Sequence, residues 1–440
     1  MSTKRKVNSW DIFDTLIGRR CFYPDEIFKI IEIKSGINNY FNIRKHCESI
    51  TQSNYDDIYN KMNEVLGLEK SESLKKMEFE TELEYIFPIQ QNMNMVVDGD
   101  ILVSDNYYSK EYILKLLIKA GLNKNVEIYV TYGGKSNGSI WNNLKNTYDI
   151  VKHTGDNVHS DINMAKMNGI PTTYFNKEFN NIESYLSNNG HPNMAKFCRM
   201  LRLKNLYNTE DPKFELWNLE SNFNVPILLL YMNYLNNYCI KNNYKTILFC
   251  TRDCCHLYKL FKHFYPGYES IYFHSSREAY IKKSDDYKNY VLNMLRVNGK
   301  DKTVVVDLCG TGNSGNEIFK ELDYPKRFFF WYISGSHTGK NIDYMIQNIN
   351  CNNSLLEILN YDKIGSLSDV QYINDNHIDI RKDIKYDHKL LDFMDSIIEN
   401  IIKYGEIPQN INLNVVMYLI KYFDNQNEHI KQLFNHDGNE

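Results

Sequence analysis

Residues 10–20, WDIFDTLIGRR, decide how the chain begins to fold. The alternation of apolar and polar residues ahead of them predicts a strand over about residues 6–12. Asp11 then falls at the strand's end, with Phe13, Asp14 and Thr15 in the turn beyond. Taken alone, an Asp-x-x-Asp-Thr run reads as a strand end closed by an Asx turn. It is also the arrangement that a nucleophilic carboxylate at the mouth of a parallel sheet requires. What the rest of the chain brings to the same edge decides between the two.

Moving outward, residues 25–85 read as a long helical tract with charged faces, broken near Ser35-Gly36 and at Gly67. NMVVDGDILVSDNYYSKEYILKLLIKAGL then predicts a strand at 101–103, a polar turn and an amphipathic helix ending at Gly121. The same strand, loop and helix unit returns in VEIYVTYGGKSNGSIWNNLKNTY and in VKHTGDNVHSDINMAKMNGI. Alternation of this kind predicts an α/β domain on a parallel sheet over residues 1–178, with a helical insertion at about 20–95 after the first strand. Residues 179–220 read as a helical connector. A second α/β domain is expected over 221–350, with a helix over PILLLYMNYLNNYCIKNN and strands in KTILFCT, SIYFHSS, TVVVDL and RFFFWYIS. Residues 351–440 read as mostly helical, with a polar, unstructured tail QLFNHDGNE.

A chain of 440 residues is long enough for two or three cores. Its 51 basic and 55 acidic side chains leave a net charge of −4, which provides no broad footprint for nucleic acid or an anionic membrane. The basic start MSTKRKVNSW lacks the apolar core of a secretion signal. The apolar run VPILLLYMNYL is too short to span a bilayer, and a cytoplasmic chain is expected. Nine cysteines are scattered, and the one dense group, Cys250, Cys254 and Cys255 beside His256, lacks paired zinc-ligand spacing. The cysteines read as buried reduced thiols and His153 as a packed strand-end residue.

Four groups fall at or just beyond predicted strand ends: Asp11 with Thr15, Ser104, Lys135, and Asp156 with Asp161. Open parallel sheets bind ligands at that edge, so these distant loops converge there. Together they supply a carboxylate to attack phosphorus, further carboxylates for Mg²⁺, and a hydroxyl and an ammonium for phosphate oxygens.

At this point the chain resembles a known family. WDIFDTL, LVSD, GGKSNG and GDNVHSD resemble, in order, the four motifs of the haloacid dehalogenase (HAD) superfamily. DIFDTL followed by Pro24 and Phe28, the segment FNIRKHCES with Arg44 and Glu48, SDNYYS and HTGDN are similar to a two-domain subgroup of it. The likeness covers residues 7–175 well and the rest loosely. It implies a Rossmann-like sheet with a helical cap inserted after the first strand. It makes Asp11 the nucleophile and a Mg²⁺ ligand, Asp156 a second ligand, and Asp161 the group that orients the metal shell and Lys135. Ser104 and Lys135 would bind phosphate, Thr15 would support the loop, and the Phe13 carbonyl would complete the metal site.

One departure matters. Most phosphatases of this superfamily carry an aspartate as general acid where this chain has Phe13, and Asp14 would point to the opposite side if strand geometry persisted. Either the leaving group is a good one, the acid comes from the cap or the substrate, the bond broken is not an ordinary phosphomonoester, or the domain binds without turnover.

In the second domain, TVVVDLCGTGNSGNEIF ends a buried strand in Asp307 and opens a Gly-rich loop. It lacks the lysine of a Walker loop and the GxGxxG spacing. It resembles the phosphoribosyl diphosphate loop of type I phosphoribosyltransferases, which implies that Asp307, Thr311, Gly312 and Ser314 face a second phosphate-bearing ligand. Arg252 and Arg277, each just past a strand, could face the same ligand or belong to a structural salt-bridge set. The function expected is a Mg²⁺-dependent HAD-like hydrolase acting through an aspartyl intermediate on a small phosphorylated metabolite, a sugar or nucleotide derivative. The alternative is an inactive ligand-binding or scaffold protein.

Overall fold

The computed structural model describes residues 4–323, 325–333, 341–347, 351–373, 376–383, 388–425 and 434. The chain divides into two compact units, Met1–Asn180 with Arg199–Asn208, and Asn181–Cys198 with Thr209–Glu440. Among the described residues no helix is long and apolar enough to cross a membrane. The polar tail, apart from Phe434, lies outside the described residues.

The first unit contains strands β1 (Arg5–Trp10), β2 (Ile17–Arg19), β3 (Ile86–Pro88), β4 (Ile101–Asp105), β5 (Glu127–Thr131), β6 (Tyr148–Gly155) and β7 (Thr172–Tyr174). Five of them form a parallel sheet in the order β5-β4-β1-β6-β7. Strand order reverses between β1 and β6, which opens a crevice at their carboxyl ends. The ILVSD strand is buried through Ser104, as a central parallel strand with helices on both faces must be. Ser109 caps the following helix, Lys110–Lys119, by accepting from the Tyr112 amide, and Ile113, Leu116 and Leu117 form its buried face.

The insertion folds into four helices, Glu26–Ser35, Tyr40–Thr51, Tyr55–Leu66 and Leu68–Tyr85. Breaks fall at Gly36 (φ 68°) and Gly67 (φ 83°) as the sequence predicts. A third, at Gln52 (φ 45°), was not predicted; there Asn54 starts the next helix by accepting from the Asp57 amide. The insertion leaves and rejoins the sheet domain through the antiparallel pair β2 and β3, with Gly18 opposite Phe87. A Cβ on Gly18 would lie 2.6 Å from the Phe87 ring, so the crossing needs glycine. Inside the insertion the fully buried Arg44 binds Glu78 through Nε (2.8 Å) and Nη2 (3.0 Å), and Glu48 through Nη1 (2.9 Å). A fork of this kind satisfies a buried charge and fixes the helices Tyr40–Thr51 and Leu68–Tyr85 to one another.

In the second unit β8 (Thr246–Cys250), β9 (Glu269–Phe273), β10 (Thr303–Gly310), β11 (Lys326–Tyr332) and β12 (Ile342–Gln347) form another parallel sheet, ordered β12-β11-β10-β8-β9. The apolar helix Val225–Asn242 follows the sequence expectation closely, and a second helix, Cys255–Phe264, follows β8. The stretch from residue 351, expected to be mostly helical, holds the helices Ser354–Asn360, Met394–Tyr404 and Leu413–Asp424 and, beside them, two strands the sequence does not suggest. Strands β13 (Leu367–Ile373) and β14 (Asn376–Arg381) form an antiparallel hairpin between the helices Ser354–Asn360 and Met394–Tyr404. Leu367 and Val370 anchor β13 in the core, while Ile378 and Ile380 of β14 remain exposed. Pairing, and not local apolar patterning, defines that second strand.

Candidate functional site

Asp11 is the first residue beyond β1, and its amide donates to the Thr154 carbonyl of β6 (2.8 Å). Asp156 and Asp161 follow β6. In GDNVHSD the Asn157 side chain accepts from the His159 and Ser160 amides, which turns the chain into a short π-helix, Val158–Asn163, carrying Asp161 back under the sheet edge. Gly155 permits this, because a Cβ there would lie 2.4 Å from the Asp161 carboxyl carbon. Carboxylate oxygens of Asp11, Asp156 and Asp161 lie within 4.8 Å of one another.

Lys135 enters from the loop after β5. Its ammonium, 3% exposed, sits between Asp11 Oδ1 and Asp161 Oδ1 and also donates to the Val103 carbonyl (3.2 Å). Burial alone would lower its pKa, but the two carboxylates hold it above the ordinary lysine value. Asp105 fixes that loop by accepting from the amides of Lys135 (3.0 Å) and Ser136 (3.1 Å) and from the Thr131 hydroxyl. Burial raises the pKa of Asp161, yet Lys135 and His153 bring it well below the carboxylate range. Buried His153 spans Ser9 Oγ (2.8 Å) and Asp161 Oδ1 (3.2 Å), a packed strand-end residue as read from sequence, and burial pushes its pKa down. Asp11 goes the other way: burial, then Asp161 and Asp156, raise it against the opposing pull of Lys135.

Ser104 is buried at the penultimate position of β4, and buried Thr15 places its hydroxyl 3.5 Å from Asp156 Oδ1. Phe13 carries the Arg19 guanidinium over its ring at 4.2 Å. The expected direction of Asp14 is corrected. The strand has ended, Asp14 is left-handed (φ 60°), and its amide closes a turn onto the Ile17 carbonyl (2.7 Å). Its carboxylate therefore meets Lys177 (3.0 Å), which also binds Asp156 (2.8 Å), and Arg199 (3.4 Å). Asp14 belongs to the same charged constellation, tied down on two sides.

The structure thus brings Asp11, Thr15, Lys135, Asp156 and Asp161 together, with Ser104 on the adjoining strand end. Sequence reasoning set Asp14 aside and missed Asp105, Lys177 and Arg199. Asp105 had a signal in its place directly before a polar turn; Lys177 and Arg199 had none, since the Asp14 they share lies more than a hundred and fifty residues away.

A divalent cation fits the donor set. Three carboxylates converge, and Asp11 Oδ2, on a residue 6% exposed, is buried without a hydrogen-bond partner among the described residues. A buried carboxylate oxygen left unsatisfied is costly, and a cation would satisfy it. The second cluster with converging donors, His274, His377 and Asp379, already has the Arg381 guanidinium on Asp379 (2.7 Å). Eight cysteines are buried, Cys351 is half-buried, and all nine are free thiols, as expected.

In the second unit the residues singled out from sequence share one cleft: Arg252, Arg277, Asp307, Thr311, Gly312 and Ser314 all line it. Arg252 also donates to Ser366 Oγ (3.2 Å) and stacks on Tyr361 at 4.6 Å.

No family model matches the chain, and no curated protein matches it.

Proposed function

We propose that the first unit is a HAD-like, Mg²⁺-dependent hydrolase in which Asp11 attacks the phosphorus of a small phosphorylated metabolite, a sugar or nucleotide derivative. The observation that carries this is Asp11 Oδ2, a buried and unpartnered carboxylate oxygen at the sheet's switch point, beside a lysine held in place by Asp105 and Asp161. One oxygen of the Asp11 carboxylate forms a bond to phosphorus as the bond to the leaving oxygen breaks, the other staying with the cation. Water then adds to phosphorus, the aspartyl bond breaks, and the carboxylate returns.

Asp11, Asp156 and Asp161, with the Phe13 carbonyl, would hold Mg²⁺, whose charge would offset repulsion between carboxylate and phosphate. Lys135 places a second positive charge where phosphate oxygens would lie, and Ser104 adds a hydroxyl from β4. Thr15 steadies Asp156. Lys177 and Arg199 hold Asp14, so Asp14 does not take over the acid role missing at Phe13. Without an acid, substrates whose leaving oxygen departs unprotonated are favoured, since proton assistance contributes ~10² to 10⁴ in rate.

The rival reading, a protein that binds such ligands without turning them over, rests on Phe13 itself. Phosphate release from acyl phosphates, sugar phosphates, nucleotides and phosphonates, with Mg²⁺, separates the two. The hydrolase reading expects release from acyl phosphates first and its loss in Asp11→Asn. No release from the whole panel, or equal release by wild type and variant, would remove it.

A further inference from the structure

Beyond the carboxyl ends of β8 and β10 the second unit opens a cleft of about 1060 Å³. Strand order reverses between these two strands, which is where an open parallel sheet places its ligand. The volume is at the upper end of the ~300–1,000 Å³ range of small-molecule sites.

Charge in this cleft is unbalanced in a specific way. Asp253, Asp307 and Glu357 line it, and among the described residues none of the three has a cation within ion-pair distance. Asp253 makes no side-chain hydrogen bond at all, Asp307 accepts from the amide of Leu308 (2.9 Å), and Glu357 accepts from the Asn353 side chain. Burial first, and then one another's charge, raise Asp253 well above its ordinary value and Glu357 to about 7; burial takes Asp307 to about 6.

Arg252, Arg277 and Arg327 line the same cleft and offset the rise in the acids' pKa values only in part, none of them within ion-pair distance of the three among the described residues. Arg277 is exposed and, among the described residues, makes no hydrogen bond or ion pair. Arg327 is 3% exposed; its Nη atoms donate to the Gly312 carbonyl (2.8 Å) and Asn316 Oδ1 (2.7 Å), while its Nε has no acceptor. A buried guanidinium nitrogen without an acceptor, and half-buried acids without a cationic partner among the described residues, leave polar groups that a bridging ligand would satisfy. The three acids do not form one of the clusters whose donor atoms converge within 4.8 Å, so a lone ion fits them less well than an extended molecule.

The geometry points to a second binding site, in this cleft, for a phosphorylated amine of sugar size, with its ammonium among Asp253, Asp307 and Glu357 and its phosphate toward Arg277 and Arg327. This stands apart from the Asp11 reading and survives its failure, because the two sites lie at the ends of different sheets.

Calorimetry on the full chain carrying Asp11→Asn tests it, with glucosamine 6-phosphate, glucose 6-phosphate, inorganic phosphate and Mg²⁺ as separate titrants. Glucosamine 6-phosphate is expected to bind about tenfold or more tightly than glucose 6-phosphate, as a charge-assisted hydrogen bond outweighs a neutral one. Inorganic phosphate is expected to bind more weakly still. Asp253→Asn and the exposed Arg277→Gln should each weaken the aminated sugar about tenfold while leaving the melting temperature within a few degrees. Equal affinity for the two sugars, no binding of either, variants that bind as tightly as their parent, or Mg²⁺ alone competing with the aminated sugar would each overturn the assignment.

Discussion

At the ends of β1 and β6, Asp11, Asp156 and Asp161 each face an ammonium, whereas at the ends of β8 and β10, Asp253 and Asp307 face none among the described residues. Both crevices arise where strand order reverses in a five-stranded parallel sheet, so topology places them and side chains differentiate them. In the first, charges of opposite sign are interlocked and Lys135 is nearly sealed; a preformed set of this kind suits a reacting group held in one geometry. In the second the charges stand apart round an open volume, an arrangement suited to a ligand that supplies the missing partners.

Removing Lys135 should break the comparison hardest. Lys135→Met leaves Asp11 and Asp161 buried and unpaired, and a loss of ~3–5 kcal/mol in urea unfolding is expected. Asp253→Asn removes a half-buried carboxylate that no cation pairs among the described residues, so in the same assay stability should not fall. Similar losses in both variants would mean the two crevices are electrostatically alike.

A third acid sharpens the contrast. Glu220 is fully buried, accepts from Asn224 Nδ2 (2.7 Å), leaves Oε1 unpartnered, and burial pushes its pKa up to about 8. Between pH 4.5 and about 8 the folded chain therefore keeps a proton that the unfolded chain has released. Stability falls as pH rises across that window, by ~5 kcal/mol at most. Glu220→Gln should flatten this part of the profile; an unchanged alkaline slope would show that Glu220 does not hold its proton.

The smallest effect belongs to a pair outside both crevices. Arg5 and Glu127 are joined at 2.7 Å with about half of each side chain exposed, and a double-mutant cycle should give under ~1 kcal/mol. A coupling as large as the Lys135 loss would undo the argument that burial makes the first crevice stiff.

The strand and helix rhythm of both sheets was legible because buried parallel strands such as TVVVDL and ILVSD are locally apolar and end in recognisable turns. The convergence of Asp11, Lys135, Asp156 and Asp161 was legible for the related reason that parallel topology brings strand ends to one edge. Asp14 was not, since its left-handed turn depends on closure onto Ile17 and its partners, Lys177 and Arg199, are remote in sequence. The β14 strand was hidden because NHIDIR carries few buried residues and exists through pairing with β13. The unpaired state of Asp253 is a property of three-dimensional surroundings that no local pattern encodes.

Asp11 as a covalent nucleophile can be read out directly. The protein is incubated with Mg²⁺ and acetyl phosphate, quenched in acid, digested and examined by mass spectrometry. A phosphoryl adduct confined to the peptide containing Asp11, and absent from Asp11→Asn, is the predicted result. Phosphate release with the adduct on another residue, or with none while Asp11→Asn keeps the wild-type rate, would contradict it.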